Sequence, residues 1–375
     1  MNEPSPPELF PTLDSIEPVL WPTAALVAFV FTAMLVDLMI LLAARWRLVD
    51  LPNRRSAHAL PTARGGGLAI VAIFALAALA VAVRWPTRAA GILGGGLVPC
   101  LVIAAVGFID DMRPLRASLR LLIQVGIAAW IVGVLGPLDT IEVPGRSPLS
   151  LGVLAWPLTV VWIVGMTNAF NFMDGSDGMA GLGAVVVCVG IAAIGLRMDA
   201  YEPMLLASFL AAATAGFLVF NWPPARIFMG DVGSGFLGTF LAALPLLFPA
   251  QERGAVFLPC VLCLWPYVFD PLLSVLRRLW NGHNPLVPHR EFLFHRLIRS
   301  GVSHGRTALL YAALAAAGAV AACVSLDGRV PAATRAVVAL ATLVVVPAAL
   351  TWVVERRCAR VELVPAESGH APKPR

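Results

Sequence analysis

Long apolar segments recur along almost the whole chain and restrict its fold more than any other feature. A helix that crosses a bilayer needs about 20 consecutive apolar residues, and such segments follow one another between residues 22 and 354. The composition agrees, because 59% of the 375 residues are hydrophobic and 13% are charged, whereas a soluble domain has about 25% charged residues. The sequence therefore predicts an all-α, polytopic integral membrane protein.

The apolar pattern divides the chain into three parts. It predicts an external N-terminal segment (residues 1–21), a multi-helix transmembrane domain (residues 22–354) and a cytoplasmic, disordered tail (residues 355–375). About eleven transmembrane helices are expected. Their predicted ranges are 22–44, 66–83, 91–109, 119–136, 152–169, 179–196, 203–220, 233–249, 255–275, 306–326 and 334–354.

The basic residues predict how these helices are oriented. The chain has 27 Lys and Arg residues and a net charge of +5, a balance that in other proteins can indicate nucleic-acid binding. Here 20 of the 27 fall in alternate inter-helix segments and in the tail, as the positive-inside rule requires of cytoplasmic segments. We therefore predict an external N-terminus, a cytoplasmic C-terminus and no nucleic-acid partner.

The first predicted cytoplasmic loop combines arginines with a run of glycines. Arg54, Arg55 and Arg64 offer forked donors that suit phosphate oxygens, and His58 lies between them. Gly65–Gly67 allow the backbone to approach a ligand closely. A basic loop that touches anionic lipid headgroups would have the same composition. This loop alone therefore favours neither a substrate-phosphate site nor a headgroup contact.

Asp110 and Asp111 are adjacent carboxylates at the inner end of the third predicted helix. Two such acids at a membrane boundary are unfavourable unless they are paired or bind a cation. A surface cluster with Arg113 or Arg116 is the alternative. The pair favours metal or phosphate chemistry.

Four oxygen-bearing side chains recur at every third position, starting at the end of the fifth predicted helix. They are Asn168, Asn171, Asp174 and Asp177, and in a helix this spacing places neighbours near one face. Carboxylate and amide oxygens are ligands that Mg²⁺ accepts. A helix cap explains one aspartate but not all four residues.

Asn221 and Asp231 mark the next inner boundary. Asp231 lies near the predicted start of a helix, where an anion is favoured. Phe228 can stack on a base or pack at the membrane interface. A simple N-cap would explain Asp231 but would not need Asn221.

The last predicted inner loop, residues 276–306, is rich in Arg and His. Such a loop can bind a diphosphate, or it can remain solvated and enforce topology. Its basic residues are Arg277, Arg278, His283, His289, Arg290, His295, Arg296, Arg299, His304 and Arg306.

In this order, the five stretches resemble the polyprenyl-phosphate N-acetylhexosamine-1-phosphate transferase family over roughly residues 45–306. The resemblance rests on the aspartate pair, on N-x-x-N-x-x-D-G-x-D-G from Asn168, and on Asn221 followed ten positions later by Asp231 within F-M-G-D. The sequence is similar in particular to the branch that starts O-antigen chains, because Arg120-Leu-Leu-Ile-Gln124 follows the aspartate pair.

Two stretches depart from the family pattern. Ala63 replaces the second Pro of P-T-P-R-G-G-G, and the H-R-x-H pattern becomes His289-Arg290-Glu291-Phe292. The second His is missing, and His295 follows three residues later, so both His289 and His295 stay open as phosphate contacts. The phospho-MurNAc-pentapeptide branch has three consecutive His here, which this chain lacks.

The resemblance implies transfer of HexNAc-1-phosphate from a UDP-sugar donor to polyprenyl (undecaprenyl) phosphate, with release of UMP. It implies Mg²⁺ as cofactor, with Mn²⁺ as a substitute, and a cytoplasmic site in the bacterial inner membrane. The reaction would be the first membrane step of O-antigen or other cell-surface glycan synthesis. GlcNAc is the default sugar, and a 6-deoxy-HexNAc such as FucNAc or QuiNAc competes with it. A homodimer is a further option.

The same resemblance implies roles for the acids. Asp231 is expected to be the main Mg²⁺ ligand, with Asn171 or Asp111 completing its shell. Asp110 is expected to orient or deprotonate the lipid phosphate, and Asp174 to lie near the diphosphate. The residues expected to act in catalysis are Asp110, Asp111, Asp174 and His289.

The remaining implied residues bind substrate. Asn221, Phe228 and Asp177 are expected to hold uridine. The other members of the predicted substrate-binding set are Arg55, His58, Arg64, Asn168 and Arg290.

Two other classes of protein share parts of this pattern. A secondary transporter keeps its polar residues near the bilayer midplane, whereas the polar clusters here lie at one end of the predicted helices. A non-catalytic membrane scaffold has no use for several acid-rich motifs at that end.

Overall fold

The computed structural model describes residues 20–46, 49–50, 61–283 and 291–363. Within these residues the chain is built almost entirely of helices. They are α1 (Leu20–Trp46), α2 (Gly67–Arg84), α3 (Val98–Met112), α4 (Ala117–Leu135), α5 (Ala155–Met173), α6 (Met179–Arg197), α7 (Tyr201–Asn221), α8 (Asp231–Ala243), α9 (Arg253–Trp280), α10 (Leu293–Arg299), α11 (His304–Ser325), α12 (Ala332–Leu340) and α13 (Val346–Leu363). A π-helical stretch, Ala90–Leu97, leads into α3, and another, Ala341–Val345, joins α12 to α13.

Ten helical segments of the described residues are long and apolar enough to cross a membrane. This finding confirms the prediction of an all-α, polytopic membrane protein. The outer surface agrees with it, since Leu41 and Leu122 are 73% and 69% exposed. Apolar side chains exposed to this degree are unfavourable in water but suit contact with lipid chains.

The helix predicted at 233–249 is present, but it is shorter than the ten segments that are long enough to cross a membrane. α8 continues as a 3₁₀ helix, Leu244–Leu247. With rises of about 1.5 and 2.0 Å per residue in its two parts, the combined helix spans about 28 Å, close to the ~30 Å of a bilayer core. Every residue of α8 after Asp231 is buried, so protein surrounds this helix.

Arginines from other segments bind the last carbonyl groups of this short helix. Arg88 donates to Leu247 O at 2.5 Å, and Arg253 donates to Phe248 O at 3.2 Å. The final carbonyls of a helix have no partner within the helix, and a buried carbonyl without a partner is unfavourable. The two arginines therefore fix the depth of α8 in the bundle.

Successive crossings alternate in direction, so the polar ends of the helices gather at two levels. The level at which α3, α5 and α7 end and α8 begins is termed the site end. The opposite level, at which α4 and α11 end and α9 begins, is termed the hairpin end. Which end faces the cytoplasm stays a prediction from the arginine count.

Two small sheets lie at these two ends, and the sequence pattern did not predict them. The strands are β1 (Val49–Asp50), β2 (Thr62–Arg64), β3 (Thr140–Ile141), β4 (Leu149–Ser150) and β5 (Ile227–Phe228). At the site end the order is β1-β2-β5, with β2 and β5 parallel, and at the hairpin end β3 pairs with β4. Strands this short show no alternating apolar pattern that a sequence could reveal.

The C-terminal part of the chain is more helical than predicted. α10 lies within the predicted inner loop, and α13 continues to Leu363, beyond the predicted start of the tail at residue 355. Glu355 of α13 pairs with Arg277 at 2.8 Å and with Arg296 at 2.6 Å. These ion pairs join α13 to α9 and α10.

Candidate active site

Asp110 lies in the last turn of α3, where both of its oxygens have partners. Oδ1 accepts a hydrogen bond from Leu115 N, and Oδ2 accepts one from Arg120 Nη1, each at 2.5 Å. The loop after α3 folds back on this carboxylate, and α4 brings Arg120 to it. Asp110 thus fixes the position of Arg120.

Asp111 lies outside α8 and caps its first turn. Its side chain is 3% exposed, and its oxygens accept hydrogen bonds from Asp231 N at 3.0 Å and Val232 N at 3.3 Å. The residue before α8 is Gly230, which has no side chain to cap the helix, so Asp111 satisfies the free N–H groups. Arg64 Nη2 lies 2.7 Å from Asp111. Asp111 therefore has a capping role, and its part in a Mg²⁺ shell stays a prediction.

Two glycines permit the close approach of α3 and α8. A Cβ at Gly107 would lie 2.4 Å from Asp231 O, and a Cβ at Gly230 would lie 2.5 Å from Asp111 Oδ2. Gly230 also has a φ of +77°, which side-chain-bearing residues rarely adopt. A side chain at either position would displace Asp231.

Asp231 lies where the contacts of the site converge. Oδ1 accepts a hydrogen bond from Asn171 Nδ2 at 3.0 Å, and Oδ2 accepts one from Arg120 Nη1 at 3.2 Å. Arg64 Nη2 is 4.0 Å from Oδ1. The side chain remains 26% exposed, so a small ligand can still reach it.

Asp174 directly follows α5 and lies among other acids. Burial raises the pKa of Asp174 well above its usual range, and the negative charges of Asp231 and Asp111 raise it further, whereas Arg64 lowers it. An opposite charge within a few ångströms favours the ionised form of a carboxyl group. A bound cation would therefore stabilise the charged form of Asp174.

The site carries more negative than positive charge. Its four carboxylates, termed the acid cluster, face two guanidinium groups. The acid cluster is Asp110, Asp111, Asp174 and Asp231, and the guanidinium groups are those of Arg64 and Arg120. With all four carboxyl groups ionised, the excess would be two negative charges, which a divalent cation would balance.

The donor set fits an open Mg²⁺ site. In the part of the chain that the structure describes, no three Asp, Glu, His or Cys side chains enclose a metal site by themselves. Mg²⁺ does not require this, because it keeps several waters and is usually bound by one or two carboxylates together with substrate phosphates. Asp231 and Asp174 are the carboxylates best suited to this role, with the amide of Asn171 beside them.

A cavity of about 30 Å³ adjoins Asp110, Asn171 and Asp231. Its lining also includes the apolar side chains of Ile103 and Val106. The volume suits about one water molecule or an ion. A sugar nucleotide is far larger, so it has to bind at the open face of the acid cluster.

Arg120 and Gln124 are candidate site residues to which the sequence analysis gave no role, although both belong to the stretch that marks the similarity to one branch of the family. They lie one turn apart on α4, where Arg120 bridges Asp110 and Asp231 while Gln124 Oε1 accepts a hydrogen bond from Asn168 Nδ2 at 2.7 Å. Their i, i+4 spacing just after the aspartate pair indicates that both side chains lie on one face of a helix. The spacing could not reveal which acids Arg120 contacts.

The predicted uridine contacts lie together beside β5. Asn221 is buried, and it accepts a hydrogen bond from Gly178 N at 3.0 Å and donates one to Ile227 O at 2.9 Å. Asp177 accepts a backbone N–H of the segment between α7 and β5 at 3.1 Å. Phe228 is half-buried. Asn221 thus joins the Asp177 turn to β5, and its contact with uridine stays a prediction.

Two histidines approach the same turn from the other side. A Cβ at Gly175 would lie 3.1 Å from His295 Nε2, and His304 Nδ1 is 3.1 Å from Ser176 Oγ. His295 also packs on Phe294, with 4.0 Å between the ring centres. His289 and His295 were both open as phosphate contacts. His295 lies next to Gly175, the residue that follows Asp174.

Several arginines of the late segment have acidic partners. Arg278 pairs with Glu291 at 2.7 Å, and Arg277 and Arg296 share Glu355. These pairs hold helices together, which matches the topological interpretation of the segment. The predicted site residues outside the described residues are Arg55, His58, His289 and Arg290.

Comparison with known families gives an independent result. The family model described as glycosyl transferase family 4 matches residues 93–248. That range contains the whole acid cluster, together with Arg120 and Asn171. The matched residues thus build most of the site, whereas Arg64 and His295 lie outside the matched range.

Curated proteins are similar over most of the chain. The probable undecaprenyl-phosphate N-acetylglucosaminyl 1-phosphate transferase of Bacillus subtilis (strain 168) is 36% identical over 265 residues, which cover 70% of this chain and 73% of that protein. The decaprenyl-phosphate N-acetylglucosaminephosphotransferase of Mycolicibacterium smegmatis is 35% identical over 299 residues, 72% of this chain and 73% of that protein. The phospho-N-acetylmuramoyl-pentapeptide-transferase of Streptococcus uberis is 32% identical over 198 residues, 50% of this chain and 58% of that protein.

Proposed function

This chain belongs to glycosyl transferase family 4, and on that premise we propose that it transfers N-acetylhexosamine 1-phosphate from a UDP-sugar to a polyprenyl phosphate, with release of UMP. Two relatives that match about 70% of the chain are named for N-acetylglucosamine phosphate transfer and for undecaprenyl or decaprenyl phosphate. Their names support the reaction class and the acceptor. We propose GlcNAc as the sugar, with a 6-deoxy-HexNAc as the competing donor.

The observation that carries the proposal is the convergence of Asp110, Asn171, Asp174 and Asp231 with two arginines at one end of the bundle. Phosphoryl transfer depends mainly on positioning and on neutralising charge. The two substrates bring several negative phosphate oxygens together, and a cation held by Asp231 and Asp174 would offset their repulsion. When bound, Mg²⁺ would also polarise the phosphoryl group under attack.

In the proposed reaction, an oxygen of the polyprenyl phosphate attacks the phosphorus atom of the phosphate that carries the sugar. The bond between that phosphorus and the oxygen that joins the two phosphates of the UDP-sugar breaks, and UMP leaves with this oxygen. A phosphate monoester has a second pKa of about 6, so much of the acceptor is already dianionic at neutral pH. Asp110 therefore contributes by positioning, since it holds Arg120, whose guanidinium can bind the acceptor phosphate.

A covalent aspartyl-phosphate intermediate is the alternative course. It would require an acid-cluster oxygen to attack the sugar phosphate before the lipid does. Radiolabelled phosphate retained on the denatured protein, after incubation with labelled UDP-GlcNAc and no acceptor, would support this course.

We propose that the reaction takes place at the cytoplasmic face of a bacterial inner membrane, as the first membrane step of a cell-surface glycan. The arginine count supports this orientation, because 20 of the 27 basic residues fall in the segments predicted to be cytoplasmic, and the described residues of those segments lie at the site end. UDP-sugars are available at that face. A secondary transporter is the competing function, and the position of the acid cluster at helix ends speaks against a binding site at the midplane.

Purified full-length protein tests the proposal directly. With UDP-GlcNAc, undecaprenyl phosphate and Mg²⁺, we expect release of UMP and a lipid product whose mass equals that of undecaprenyl-diphospho-GlcNAc. EDTA should abolish both products, and excess Mg²⁺ should restore them. A panel of UDP-sugars then identifies the sugar from the mass of the product.

Three results would contradict the proposal. One is no UMP from any UDP-sugar of the panel in a folded, monodisperse sample. Another is UMP release over many turnovers in the absence of the lipid, which would indicate hydrolysis. The third is accumulation of intact UDP-sugar in proteoliposomes without product, which would indicate transport.

A further inference from the structure

A second polar cavity lies at the hairpin end of the bundle, opposite the acid cluster. It has a volume of about 380 Å³ and lies between the β3–β4 hairpin, the first turns of α9 and the segment from the end of α11 to α12. Its charged lining residues are Glu142, Arg146 and Arg335, and its apolar lining includes Met198 and Leu258. The proposed transfer reaction uses none of these residues.

The walls of this cavity are held in place by tight backbone contacts. Glu142 N donates to Gly254 O at 3.0 Å, and a Cβ at Gly254 would lie 2.5 Å from Thr140 Oγ1. A Cβ at Gly145, near the hairpin tip, would lie 3.6 Å from the Ala332 Cβ. The hairpin thus packs on both α9 and α12, and the cavity is preformed.

The charged groups around the cavity have few partners. Arg335 donates from Nη1 to Ser325 O at 3.3 Å, while its buried Nε meets no acceptor among the described residues. Within the same residues, neither Glu142 nor Arg146 has an ion-pair partner within 4.0 Å. Arg335 is half-buried, whereas Glu142 and Arg146 are exposed. A buried donor without an acceptor, such as Arg335 Nε, is unfavourable, and the charges of Glu142 and Arg146 can pair with a ligand of complementary charge.

We propose that this cavity binds the headgroup of a phospholipid that carries a phosphodiester and a primary ammonium group. Guanidinium forks suit phosphate oxygens, and the Glu142 carboxylate complements the ammonium group. The apolar wall suits the glycerol backbone and the first acyl carbons. The hairpin end is also the level at which lipid headgroups meet the ends of the helices.

The mixed charge of the cavity makes the proposal selective. A purely anionic headgroup would pair with the two arginines, but it has no cationic group to pair with the Glu142 carboxylate. A choline headgroup has no N–H to donate to that carboxylate. Phosphatidylethanolamine should therefore bind more tightly than phosphatidylglycerol or phosphatidylcholine.

Native mass spectrometry of the full-length protein, titrated with each of these three lipids, tests this order. We expect Arg335→Gln to weaken phosphatidylethanolamine binding about tenfold, and Arg335→Lys to weaken it less. Glu142→Gln should remove the preference over phosphatidylglycerol. Arg329→Gln is the matched control, because Arg329 is exposed at the same end and does not line the cavity.

The proposal is overturned if Arg335→Gln and Arg329→Gln bind phosphatidylethanolamine equally, or if the unaltered protein does not distinguish the three lipids. Thermal unfolding of each variant shows whether it is still folded, and UMP release should persist in all of them. Soluble glycerophosphoethanolamine distinguishes two forms of the ligand. Competition by it supports recognition of the headgroup alone, and lack of competition supports a site that also needs the acyl chains.

Discussion

Asp231 is the side chain on which Asn171, Arg120 and Arg64 converge. Replacing its carboxylate by an amide removes one negative charge and keeps the shape. We expect Asp231→Asn to lower the rate of UMP release about a hundredfold or more, as loss of a charge-stabilising group does in other enzymes, and to raise the Mg²⁺ concentration needed for half-maximal rate.

The control for this substitution is Asp327→Asn. Asp327 lies at the hairpin end and accepts a hydrogen bond from Arg329 N, far from the acid cluster. Its variant should keep the full rate. An Asp231→Asn protein with normal turnover and an unchanged Mg²⁺ requirement would remove Asp231 from the proposed cation site.

Arg120 gives a different prediction, because it adds positive charge to the acid cluster. Arg120→Ala leaves that cluster more negative, so Mg²⁺ should bind more tightly. The same change removes a donor for the acceptor phosphate, and the KM for polyprenyl phosphate should rise about tenfold. Steady-state kinetics with varied lipid and varied Mg²⁺ separate the two effects.

Arg120→Lys serves as the matched variant, since it keeps the charge but loses the planar fork. It should restore the Mg²⁺ dependence and only part of the lipid affinity. If Arg120→Ala left the KM for polyprenyl phosphate unchanged, Arg120 would have a purely structural role.

At the residue scale, side-chain chemistry and spacing predicted the acids but not their partners. The recurrence of Asn and Asp at every third position indicated a cation site from sequence alone. Hydrogen bonds between residues more than a hundred positions apart, such as Asp111 with Asp231, leave no local pattern. For that reason the capping role of Asp111 and the backbone contacts of Asn221 emerged only from the folded chain.

At the scale of elements, the contact of α3 with α8 sets the geometry of the site. Gly107→Ala introduces a methyl group that would meet Asp231 O at 2.4 Å. Overpacking of this kind costs about 1–3 kcal/mol of unfolding free energy. We expect a lower midpoint of thermal unfolding in detergent, and a lower rate of UMP release in the protein that remains folded.

Gly126→Ala on α4 is the control, because no atom lies within 4 Å of a Cβ at that position. A glycine in a helix is less stable than alanine by about 0.5–1 kcal/mol, so this variant should be neutral or slightly more stable. If Gly107→Ala behaved in the same way, the close approach of α3 and α8 would not be required.

Long helices could be predicted because each needs one continuous apolar segment. The short elements could not, since β2 and β5 consist of three and two residues and form only when distant segments meet. α10 is similar, because its seven residues contain three basic side chains. Its stability derives from burial of Leu293, Phe294 and Leu297, which depends on the fold.

At the scale of the whole molecule, the ten long segments and the shorter helix Asp231–Leu247 make eleven crossings among the described residues. An odd number of crossings places Leu20 at the hairpin end and Leu363 at the site end. The arginine count predicts that the site end is cytoplasmic. Two variants test this orientation, Arg306→Cys at the site end and Arg329→Cys at the hairpin end. Each is made in a protein in which the partly exposed Cys323 and Cys358 are replaced by Ser.

In intact cells, an impermeant maleimide added outside should label the cysteine at position 329. The cysteine at position 306 should react only after the membrane is permeabilised. The reverse pattern would invert the orientation and would place the acid cluster on the side that lacks UDP-sugars. The background protein without either new cysteine reports any labelling of the buried thiols.

The capping of α8 by Asp111 has a consequence for the order in which the protein is made. Asp111 leaves the ribosome 120 positions before the helix whose first turn it completes. Until α8 is synthesised and inserted, Asp111 lacks the two backbone N–H groups that it caps in the finished protein. A nascent chain interrupted anywhere before that point carries the aspartate pair but has no assembled reaction centre, so unfinished copies cannot consume the lipid carrier.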